Sequence, residues 1–305
     1  MKLVSIITVN YNCTTVTEQL LSSIYKNNTY PDIEVIVVDN ASDPDPVDEL
    51  RKNHPTVIFI RSEKNLGFAG GNNLGIKHAK GEYLFLVNPD TEFTNDLVLN
   101  LVNVLSQNKQ VGVVSPKIRF YDHPKLLQYA GFTPMNYLTG QNRSPGFSEE
   151  DKGQYDNVTG KTGFAHGAAM MVKREAIEAA GLMAENFFLY YEELDWCERI
   201  IKAGFEIWVN MQALIYHKES VSVGKKSALK EYYMNRNRIL FERKHATSSA
   251  YFIFIVYFLF LVTPRNILQY IKEKQYSFIP ILLKAIRWNF TNEVNSDKLY
   301  FPGKN

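Results

Sequence analysis

Three carboxylates stand within four consecutive residues, and they are the strongest candidates for catalysis. Glu192, Glu193 and Asp195 lie between the aromatic-rich run of residues 187–191 and Trp196. Crowding and partial burial raise the pKa of a carboxylate and make it a better general base. A solvated helix start, where the helix dipole favours negative charge, explains the same residues equally well.

The spacing of these carboxylates predicts which of them faces a ligand. If the segment begins a helix, Glu192 and Asp195 are three residues apart and share a face, whereas Glu193 points about 100° away. We therefore expect Glu192 and Asp195 to form a supporting pair, and we expect Glu193 to face the cleft alone.

A second candidate site follows an apolar run at residues 83–87. Asn88 and Asp90 flank a proline there, and a carboxylate in this position could hold Mg²⁺ or Mn²⁺ against a diphosphate. The metal would then stabilise the charge on the leaving diphosphate. Asn-Pro-Asp is also a common turn, so this motif alone is a weak signal. His217 follows another apparent strand and is either a structural histidine or a ligand of metal or phosphate.

Two further motifs could bind a nucleotide. Asp39 follows four aliphatic residues, and its carboxylate could accept the imide N–H of uracil or thymine or could simply belong to a turn. Residues 65–73 form a glycine-rich turn before a predicted helix, whose N–H groups could hold phosphate or sugar oxygens. This turn matches neither the dinucleotide-binding pattern nor the P-loop, so both of those classes are disfavoured.

The elements that must position these residues alternate between strand and helix over the first 120 residues. Such alternation predicts an α/β fold with a mostly parallel sheet flanked by helices. Ligands bind beyond the carboxyl ends of strands in such sheets, and the polar residues concentrate at those ends. Strands are predicted at residues 3–9, 33–38, 57–60, 83–87 and 111–115, and helices at residues 14–28, 71–80 and 97–105.

The middle of the chain is less regular. Residues 120–160 are rich in Pro, Gly and Asn, and we expect them to form an excursion over the active-site face. A strand over 165–172 and a short helix over 174–180 follow. A helix over 226–244 carries Arg238 on a basic face, which is either solvated or binds diphosphate or acidic lipid.

The last part of the chain differs in charge and apolar content. Residues 1–216 carry a net charge of −7 and residues 217–305 a net charge of +9. Residues 250–262 are all apolar, but a membrane-spanning helix needs about 20 such residues. Residues 277–290 mix apolar and basic side chains, as interfacial helices do. We expect contact with an anionic membrane surface, although packing of both segments on the body is the alternative.

The two cysteines and the N-terminus indicate the compartment. Cys13 and Cys197 show no CxxC spacing, so neither a zinc site, a redox pair nor a disulfide framework is indicated. A reducing cytoplasm is the simplest interpretation. The apolar run after Met1 has no small-residue cleavage site, so it predicts a first strand and not a signal peptide.

Taken in order, these segments resemble family 2 glycosyltransferases of the GT-A fold, particularly bacterial rhamnosyltransferase-like members. The resemblance covers roughly residues 3–245. It rests on residues 4–12, 37–43, 65–73, 88–90, 187–199, His217 with Ser222, and 232–238.

The resemblance implies an inverting transfer of a sugar from a nucleotide-diphosphate sugar to an acceptor hydroxyl. Glu193 would be the general base, although the family usually has the shorter aspartate there. Asp90 would ligate a divalent metal, Mg²⁺ or Mn²⁺, and His217 would lie near the metal or the diphosphate. The residues expected to bind the donor are Asn10, Asp39, Asn65, Gly67, Gly70, Gly71, Asn88 and Arg238.

The same resemblance sets the expected partners and domains. We expect dTDP-rhamnose as donor, a glycan or lipid-linked glycan as acceptor, and no nucleic acid. Residues 1–245 would form the catalytic domain and residues 246–305 a hydrophobic and basic segment that associates with membranes. The protein would then be peripheral on the inner face of the cytoplasmic membrane and would act in bacterial cell-surface polysaccharide synthesis.

Two other classes of function are weighed against this one. A nucleotidyltransferase should carry a loop rich in Gly and Lys or Arg directly after the first strand, and residues 10–14 contain none of these residues. A non-catalytic carbohydrate- or lipid-binding module would keep the aromatic residues but would not need Asp90 and Glu193 together.

Overall fold

The computed structural model describes residues 1–218 and 227–299. Within them, ten strands form one sheet in the order β3-β2-β1-β4-β9-β6-β10-β5, with β7 beside β6 and β8 beside β10. The strands are β1 (Val4–Asn10), β2 (Ile33–Asp39), β3 (Ile58–Arg61), β4 (Tyr83–Val87), β5 (Thr91–Phe93), β6 (Val111–Phe120), β7 (Leu127–Tyr129), β8 (Thr159–Lys161), β9 (Ala169–Lys173) and β10 (Glu206–His217). The helices are α1 (Thr14–Asn27), α2 (Val47–Asn53), α3 (Gly67–His78), α4 (Leu97–Gln107), α5 (Arg174–Ala180), α6 (Glu192–Lys202), α7 (Ala228–His245), α8 (Ser248–Tyr257), α9 (Thr263–Lys272) and α10 (Phe278–Thr291).

The first half of the sheet is parallel, as the alternation of strands and helices predicts. Strands β3, β2, β1 and β4 run in the same direction. Side chains alternate across such strands, and both faces here are covered. Val35 and Val37 pack into one apolar cluster, whereas Ile36 and Val38 pack into the cluster on the opposite face. The carboxyl ends of these strands therefore form one well-supported edge.

The second half makes the sheet mixed rather than mostly parallel. Strand β9 lies antiparallel between β4 and β6, and β5 lies antiparallel to β10. Strand β9 follows the long irregular excursion and not a crossover helix, so nothing forces it to run parallel to its neighbours. The α/β class is confirmed, and the parallel arrangement holds for β3-β2-β1-β4 and for β6 with β10.

Helix α3 begins at Gly67, four residues earlier than predicted, so the glycine-rich stretch lies inside it. The glycines bring the helix close to β1. A Cβ atom on Gly71 would lie 2.8 Å from the Val9 side chain, and one on Gly75 would lie 2.5 Å from Ile7. Larger residues would push the helix away from the sheet, which explains why glycine appears in the middle of a helix despite its low propensity.

The excursion after β6 is fastened to the sheet by a buried ion-pair cluster. Lys117 Nζ lies 2.8 Å from the Asp151 carboxylate and 2.5 Å from that of Asp156, and Arg119 also pairs with Asp151. Burial opposes ionisation of Asp151, but hydrogen bonds from Lys117 and Arg119 hold the pKa of this carboxyl below its ordinary value. The cluster fixes a segment that otherwise has little regular structure.

The helix that contains the apolar run at residues 250–262 continues beyond it, so the helix is longer than the run in the sequence. A π-helical turn, Phe258–Val262, joins α8 to α9, and Pro264 lies in the first turn of α9, where helices tolerate proline. Within the described part of the chain, Ser248–Lys272 is the one helix that is long and apolar enough to cross a membrane by length and composition.

One side of this helix is buried and the other is exposed and apolar. Phe254 and Phe258 are fully buried, whereas Phe252, Phe260 and Leu268 are each about two-thirds exposed or more. Helix α10 packs on α7, where the Trp288 ring lies 3.9 Å from the guanidinium of the buried Arg236. The predicted boundary at residue 245 coincides with the end of α7, and the division into two domains stays a prediction.

The ion-pair cluster at the root of the excursion gives a stability prediction. Asp151→Ala removes the buried carboxylate that pairs with Lys117 and Arg119. We expect it to lower the free energy of unfolding by about 3 kcal/mol. Asp156→Ala is the matched control, because it also removes a partner of Lys117 but its side chain is half exposed. We expect the control to cost about 1 kcal/mol or less in urea unfolding.

The pH dependence of the same variant checks the cause. The folded pKa of Asp151 is lowered, so its stabilisation is complete above the unfolded pKa and is lost as pH falls through the folded value. The stability difference between wild type and Asp151→Ala should therefore shrink on acidification below about pH 4. Equal costs for the two variants at all pH values would contradict the assignment.

Candidate active site

A cavity of about 600 Å³ lies beyond the carboxyl ends of β1 and β4. This volume is within the usual range of sites for small molecules. Its walls come from the ends of β1, β4 and β10, the starts of α3, α6 and α7, the turn before β9 and the loop before α6. The lining residues are Val9, Tyr11, Asn40, Asn65, Gly67, Phe68, Asn72, Val87, Asn88, Pro89, Asp90, Gln128, His166, Gly167, Ala168, Phe188, Leu189, Tyr190, Glu192, Glu193, His217, Ser227, Leu229 and Lys230.

Two carboxylates, Glu192 and Glu193, stand side by side on this wall at the start of α6. Burial raises the pKa of Glu192 well above its ordinary value, and the neighbouring charge of Glu193 adds to that rise. Burial also raises the pKa of Glu193. Among the residues that the structure describes, one carboxylate oxygen of each is buried without a hydrogen-bond partner. Such a pair is well suited to take up a proton from a ligand.

Asp195 does not join this pair, so the expected partnership with Glu192 is wrong. The Asp195 carboxylate is fully buried and pairs with Arg199, Lys244 and His245. Burial alone would raise the pKa of Asp195. The hydrogen bond from His245 and the positive charges of Lys244 and Arg199 outweigh this effect and hold the pKa at about 2. Asp195 ties α6 to α7, and the cleft side of α6 belongs to the two glutamates.

A carboxylate and an imidazole also meet at the cavity, beyond the ends of β4 and β10. His217 Nε2 lies 3.1 Å from Asp90 Oδ1, and His217 Nδ1 lies 2.8 Å from Gln128 Oε1. If Nδ1–H donates to Gln128, Nε2 presents a lone pair beside the Asp90 carboxylate. Gln128 lies on β7, inside the excursion, and it was not predicted because 89 residues separate it from His217.

The spacing of these two atoms fits a shared divalent cation. Ligands about 2.1 Å from an octahedral ion stand about 3 Å apart when they are adjacent. The carboxylate oxygen suits Mg²⁺ or Mn²⁺, and the imidazole nitrogen suits first-row transition-metal ions. Within residues 1–218 and 227–299, no group of three or more His, Cys, Asp or Glu side chains is arranged so that it could hold a metal ion. A metal here would therefore need further ligands from a bound phosphate or from water.

The turn before β9 also reaches the cavity, and sequence patterns did not single it out. The predicted strand over 165–172 starts only at Ala169, which leaves His166 and Gly167 free to line the cavity. The Ala168 N–H donates to His166 Nδ1, and burial, with a smaller effect of His217, lowers the pKa of His166 to about 3. His166 is therefore a neutral side chain at neutral pH.

Asn10 and Asp39 lie beneath the cavity and not on its wall. Asp39 is 1% exposed, and its carboxylate accepts hydrogen bonds from the Asn10 amide, the Ser42 N–H and the Arg61 guanidinium. Sequence reasoning missed Arg61, which ends β3 directly beside Asp39 in the sheet register. Asn40, the residue after Asp39, is the one that reaches the cavity.

Asn65 and Gly67 do line the cavity, and their geometry is specific. Asn65 Oδ1 accepts hydrogen bonds from the Asn40 amide and the Gly67 N–H. Gly67 has a φ of 71°, and a Cβ atom there would lie 2.3 Å from the Phe188 carbonyl oxygen. The Phe68 N–H donates to that same carbonyl at 2.8 Å. Glycine at residue 67 is required by both backbone conformation and space.

Besides Asn10 and Asp39, three more of the residues expected to bind the donor do not line the cavity. Gly70 and Gly71 belong to the interior of α3 and serve its packing. Arg238 points away from the cavity, donates to the Thr139 carbonyl and stacks on Phe258. Helical periodicity explains the error, because α7 is buried on several sides and its basic residues do not share one solvent face. Asn88 lines the cavity as expected, and Ser222 lies outside the described residues.

With this geometry in view, comparison with known proteins is informative. The model of the family described as glycosyl transferase family 2 matches residues 5–181, which is more than half of the chain. The chain belongs to this family. The resemblance seen in the sequence is thereby confirmed, and sugar transfer is favoured over nucleotidyl transfer and over a non-catalytic binding module.

Individual relatives agree with this assignment. The chain is 29% identical over 243 residues to the low-salt glycan biosynthesis hexosyltransferase Agl10 of Haloferax volcanii, covering 77% of this chain and 74% of that protein. It is 23% identical over 274 residues to the dTDP-rhamnosyl transferase RfbF of Shigella flexneri, covering 83% and 86% respectively. The family and these relatives together identify the chain as a hexosyltransferase-type enzyme.

A solved structure shows the same fold. The mannosyltransferase PcManGT from Pyrobaculum calidifontis, in complex with GDP-Man and Mn²⁺, superposes with a TM-score of 0.59 at 18% identity. The match covers 95% of this chain and 87% of that one. This likeness confirms the GT-A class of fold.

Proposed function

We propose that this enzyme transfers a sugar from a nucleotide-diphosphate sugar to an acceptor hydroxyl with inversion at the anomeric carbon. The observation that carries the proposal is the pair Glu192 and Glu193, whose buried carboxylates face the same cavity as Asp90 and His217. An inverting transfer needs a base for the acceptor on one side and charge stabilisation for the leaving diphosphate on the other. The two clusters provide groups for both tasks.

Glu193 is the proposed base. Its side chain faces the turn before β9, where a Cβ atom added to Gly167 would lie 3.5 Å from Glu193 Oε1. The absence of a side chain on Gly167 leaves room beside this oxygen for an acceptor. Glu193 takes the hydroxyl proton while the acceptor oxygen bonds to the anomeric carbon. The bond from that carbon to the diphosphate breaks on the opposite face, so the configuration inverts.

Asp90 and His217 are the residues proposed to hold a divalent cation, Mg²⁺ or Mn²⁺. The 3.1 Å distance between Asp90 Oδ1 and His217 Nε2 supports this role, and so does the Mn²⁺ in the complex of the similarly folded mannosyltransferase. When bound, the metal would neutralise negative charge on the diphosphate. Gln128 orients the imidazole through its contact with Nδ1.

The donor is proposed to be dTDP-rhamnose, with its nucleobase near Tyr11 and Asn40. The Shigella flexneri relative, a dTDP-rhamnosyl transferase, supports this choice. Asp39 is buried beneath this wall with its carboxylate held by Arg61, so Asn40 is proposed to contact the imide of the base and Asp39 to hold Asn40 in place. Asn65, Gly67 and Asn88 would line the path of the diphosphate and sugar.

The acceptor is proposed to be a lipid-linked glycan used in bacterial cell-surface polysaccharide synthesis. The exposed apolar side of the helix over 248–272 supports this choice, because it forms a surface that suits a bilayer. Helix α10 adds further exposed apolar side chains together with Lys284 and Arg287. Ile281 on α10 packs in the same apolar cluster as Leu229, which lines the cavity. The cavity would thus lie near the membrane surface on the cytoplasmic side.

The role of Glu193 gives the central prediction. Glu193→Gln should lower kcat by about 10²–10⁴, the usual contribution of general-base catalysis, and should leave donor Kd nearly unchanged. Burial raises the pKa of Glu193, so the acid limb of wild-type kcat should lie above pH 4.5, the ordinary value for glutamate. The measurements are single-turnover transfer of the sugar over a range of pH and donor binding by calorimetry.

Two variants test the specificity of that effect. Glu178→Gln, at an exposed position on α5, should behave as wild type. Glu193→Asp restores the residue usual in the family and should keep partial activity. Near-native kcat in Glu193→Gln, together with loss in Glu192→Gln, would move the role of the base to Glu192.

The metal proposal predicts a dependence on Asp90. Asp90→Ala should abolish the rise in melting temperature that Mn²⁺ produces with dTDP, because the nucleotide alone cannot hold the ion in place. Asp96→Ala, at an exposed carboxylate outside the cavity, is the control and should keep that rise. Undiminished sugar transfer by the wild-type enzyme in EDTA would refute a metal requirement.

The membrane proposal predicts that exposed apolar side chains hold the protein on lipid. A triple variant, Phe252→Ser, Phe260→Ser and Leu268→Ser, should bind phosphatidylglycerol vesicles at least about tenfold more weakly, since each buried apolar side chain contributes 1.5–3 kcal/mol. Leu138→Ser with Phe147→Ser is the control, because these side chains are also exposed but lie in the excursion.

Flotation with the vesicles measures the effect. Wild-type protein that resists extraction with alkaline carbonate would show that the helix spans the bilayer and would contradict a peripheral attachment. Equal flotation of the triple variant and the control would contradict membrane binding through this face.

A further inference from the structure

The loop that precedes the two glutamates has an unusual backbone. Phe188, Tyr190 and Tyr191 have φ values of 65°, 69° and 72°. Residues with a Cβ rarely adopt positive φ values, because the side chain then crowds the backbone. Three of them within four residues need strong contacts elsewhere to hold the loop in this form.

A single buried carboxamide supplies those contacts. The two hydrogens of the Asn237 Nδ2 group on α7 are shared among the carbonyls of Phe187, Leu189 and Tyr190, at N···O distances of 2.9, 2.8 and 2.7 Å. Asn237 is fully buried, and its Oδ1 accepts a hydrogen bond from Arg236 at 2.7 Å. The contact with Arg236 fixes which end of the carboxamide faces the loop. Among the described residues, the Leu189 and Tyr190 carbonyls accept from Asn237 alone, so without it they would be buried and unsatisfied. The Phe187 carbonyl also accepts hydrogen bonds from the Leu189 N–H and from Arg236.

The loop contacts the start of α3 and leads into α6, and both of these helix starts line the cavity. At its end, Tyr191 immediately precedes Glu192 and Glu193, so the loop sets where α6 begins and where these carboxylates point. At its start, the Phe188 carbonyl oxygen accepts a hydrogen bond from the Phe68 N–H, and Phe188 packs against Gly67. A change in this loop would therefore move the glutamates relative to the wall formed by the start of α3.

We propose that Asn237 is a positioning residue that clamps the loop over residues 187–191 in its strained form and thereby fixes Glu192 and Glu193 in the cavity. The effect on catalysis rests on the proposed role of Glu193, but the effect on the loop does not. Without the three hydrogen bonds, the loop relaxes and the carboxylates lose their fixed orientation. A displacement of about 1 Å at a catalytic group can cost about 10²-fold in rate.

The test compares Asn237→Ala and Asn237→Asp with Asn289→Ala. Asn237→Asp keeps the shape of the side chain but points a carboxylate at three carbonyl oxygens, so donation is lost while packing is retained. Asn289 is the matched control, because its buried carboxamide donates to the Arg236 and Ala285 carbonyls and does not touch the loop. Each variant is assayed for kcat, donor Kd, melting temperature and amide hydrogen exchange of residues 188–193.

We expect both Asn237 variants to lower kcat by about 10²-fold. Their donor Kd should stay within about threefold of the wild-type value, an energy change below 1 kcal/mol. Amide exchange of residues 188–193 should become faster. Asn289→Ala should keep kcat and loop exchange near wild type, even if its melting temperature falls as far as those of the Asn237 variants. This split separates positioning from a general loss of stability.

Two results would overturn the proposal. One is wild-type kcat and loop exchange in Asn237→Asp, which would mean that only the shape of the side chain matters. The other is an equal loss of kcat in Asn289→Ala at equal stability. Faster loop exchange in the Asn237 variants, combined with an active Glu193→Gln enzyme, would support the clamp and contradict the proposed base.

Discussion

The carboxylate of Asp39 ties together the ends of three parallel strands, and the edge on which the cavity stands depends on it. In the sheet register Asp39 lies between Asn10 on one side and Arg61 on the other, and it accepts a hydrogen bond from each. The Ser42 N–H adds a third from the following turn. A buried carboxylate is costly unless it is paired and hydrogen-bonded, so these strand ends must stay aligned.

The other walls of the cavity belong to segments that pack near this edge of the sheet. The start of α3 comes close because glycines face β1, and the loop before α6 then rests on Gly67. The Asp90 and His217 pair contacts Gln128, which lies on β7, and β7 pairs with β6 next to the ion-pair cluster at Lys117. Strained backbone and buried charge are thus concentrated around the cavity, and ordinary apolar packing covers the rest of the sheet.

Local patterns predicted what depends on local sequence. The first strands, α1, α4 and α5 follow from apolar periodicity within a residue or two, and the cavity lies at the strand ends where polar residues cluster. What failed depends on distant contacts. Helical spacing placed Asp195 beside Glu192, but Lys244 and His245 on another helix draw it away. The apolar run over residues 250–262 looked too short to span a membrane, but the helix continues to Lys272 and packs on its neighbours.

The stacking of Trp288 on Arg236 makes the C-terminal helices part of the body that carries the site. A chain cut after α7 would leave Arg236, now fully buried, without its aromatic cover and its neighbour Asn237 without a fixed partner. A protease that removed the C-terminal helices would therefore also loosen the loop before the two glutamates, which Asn237 holds in place.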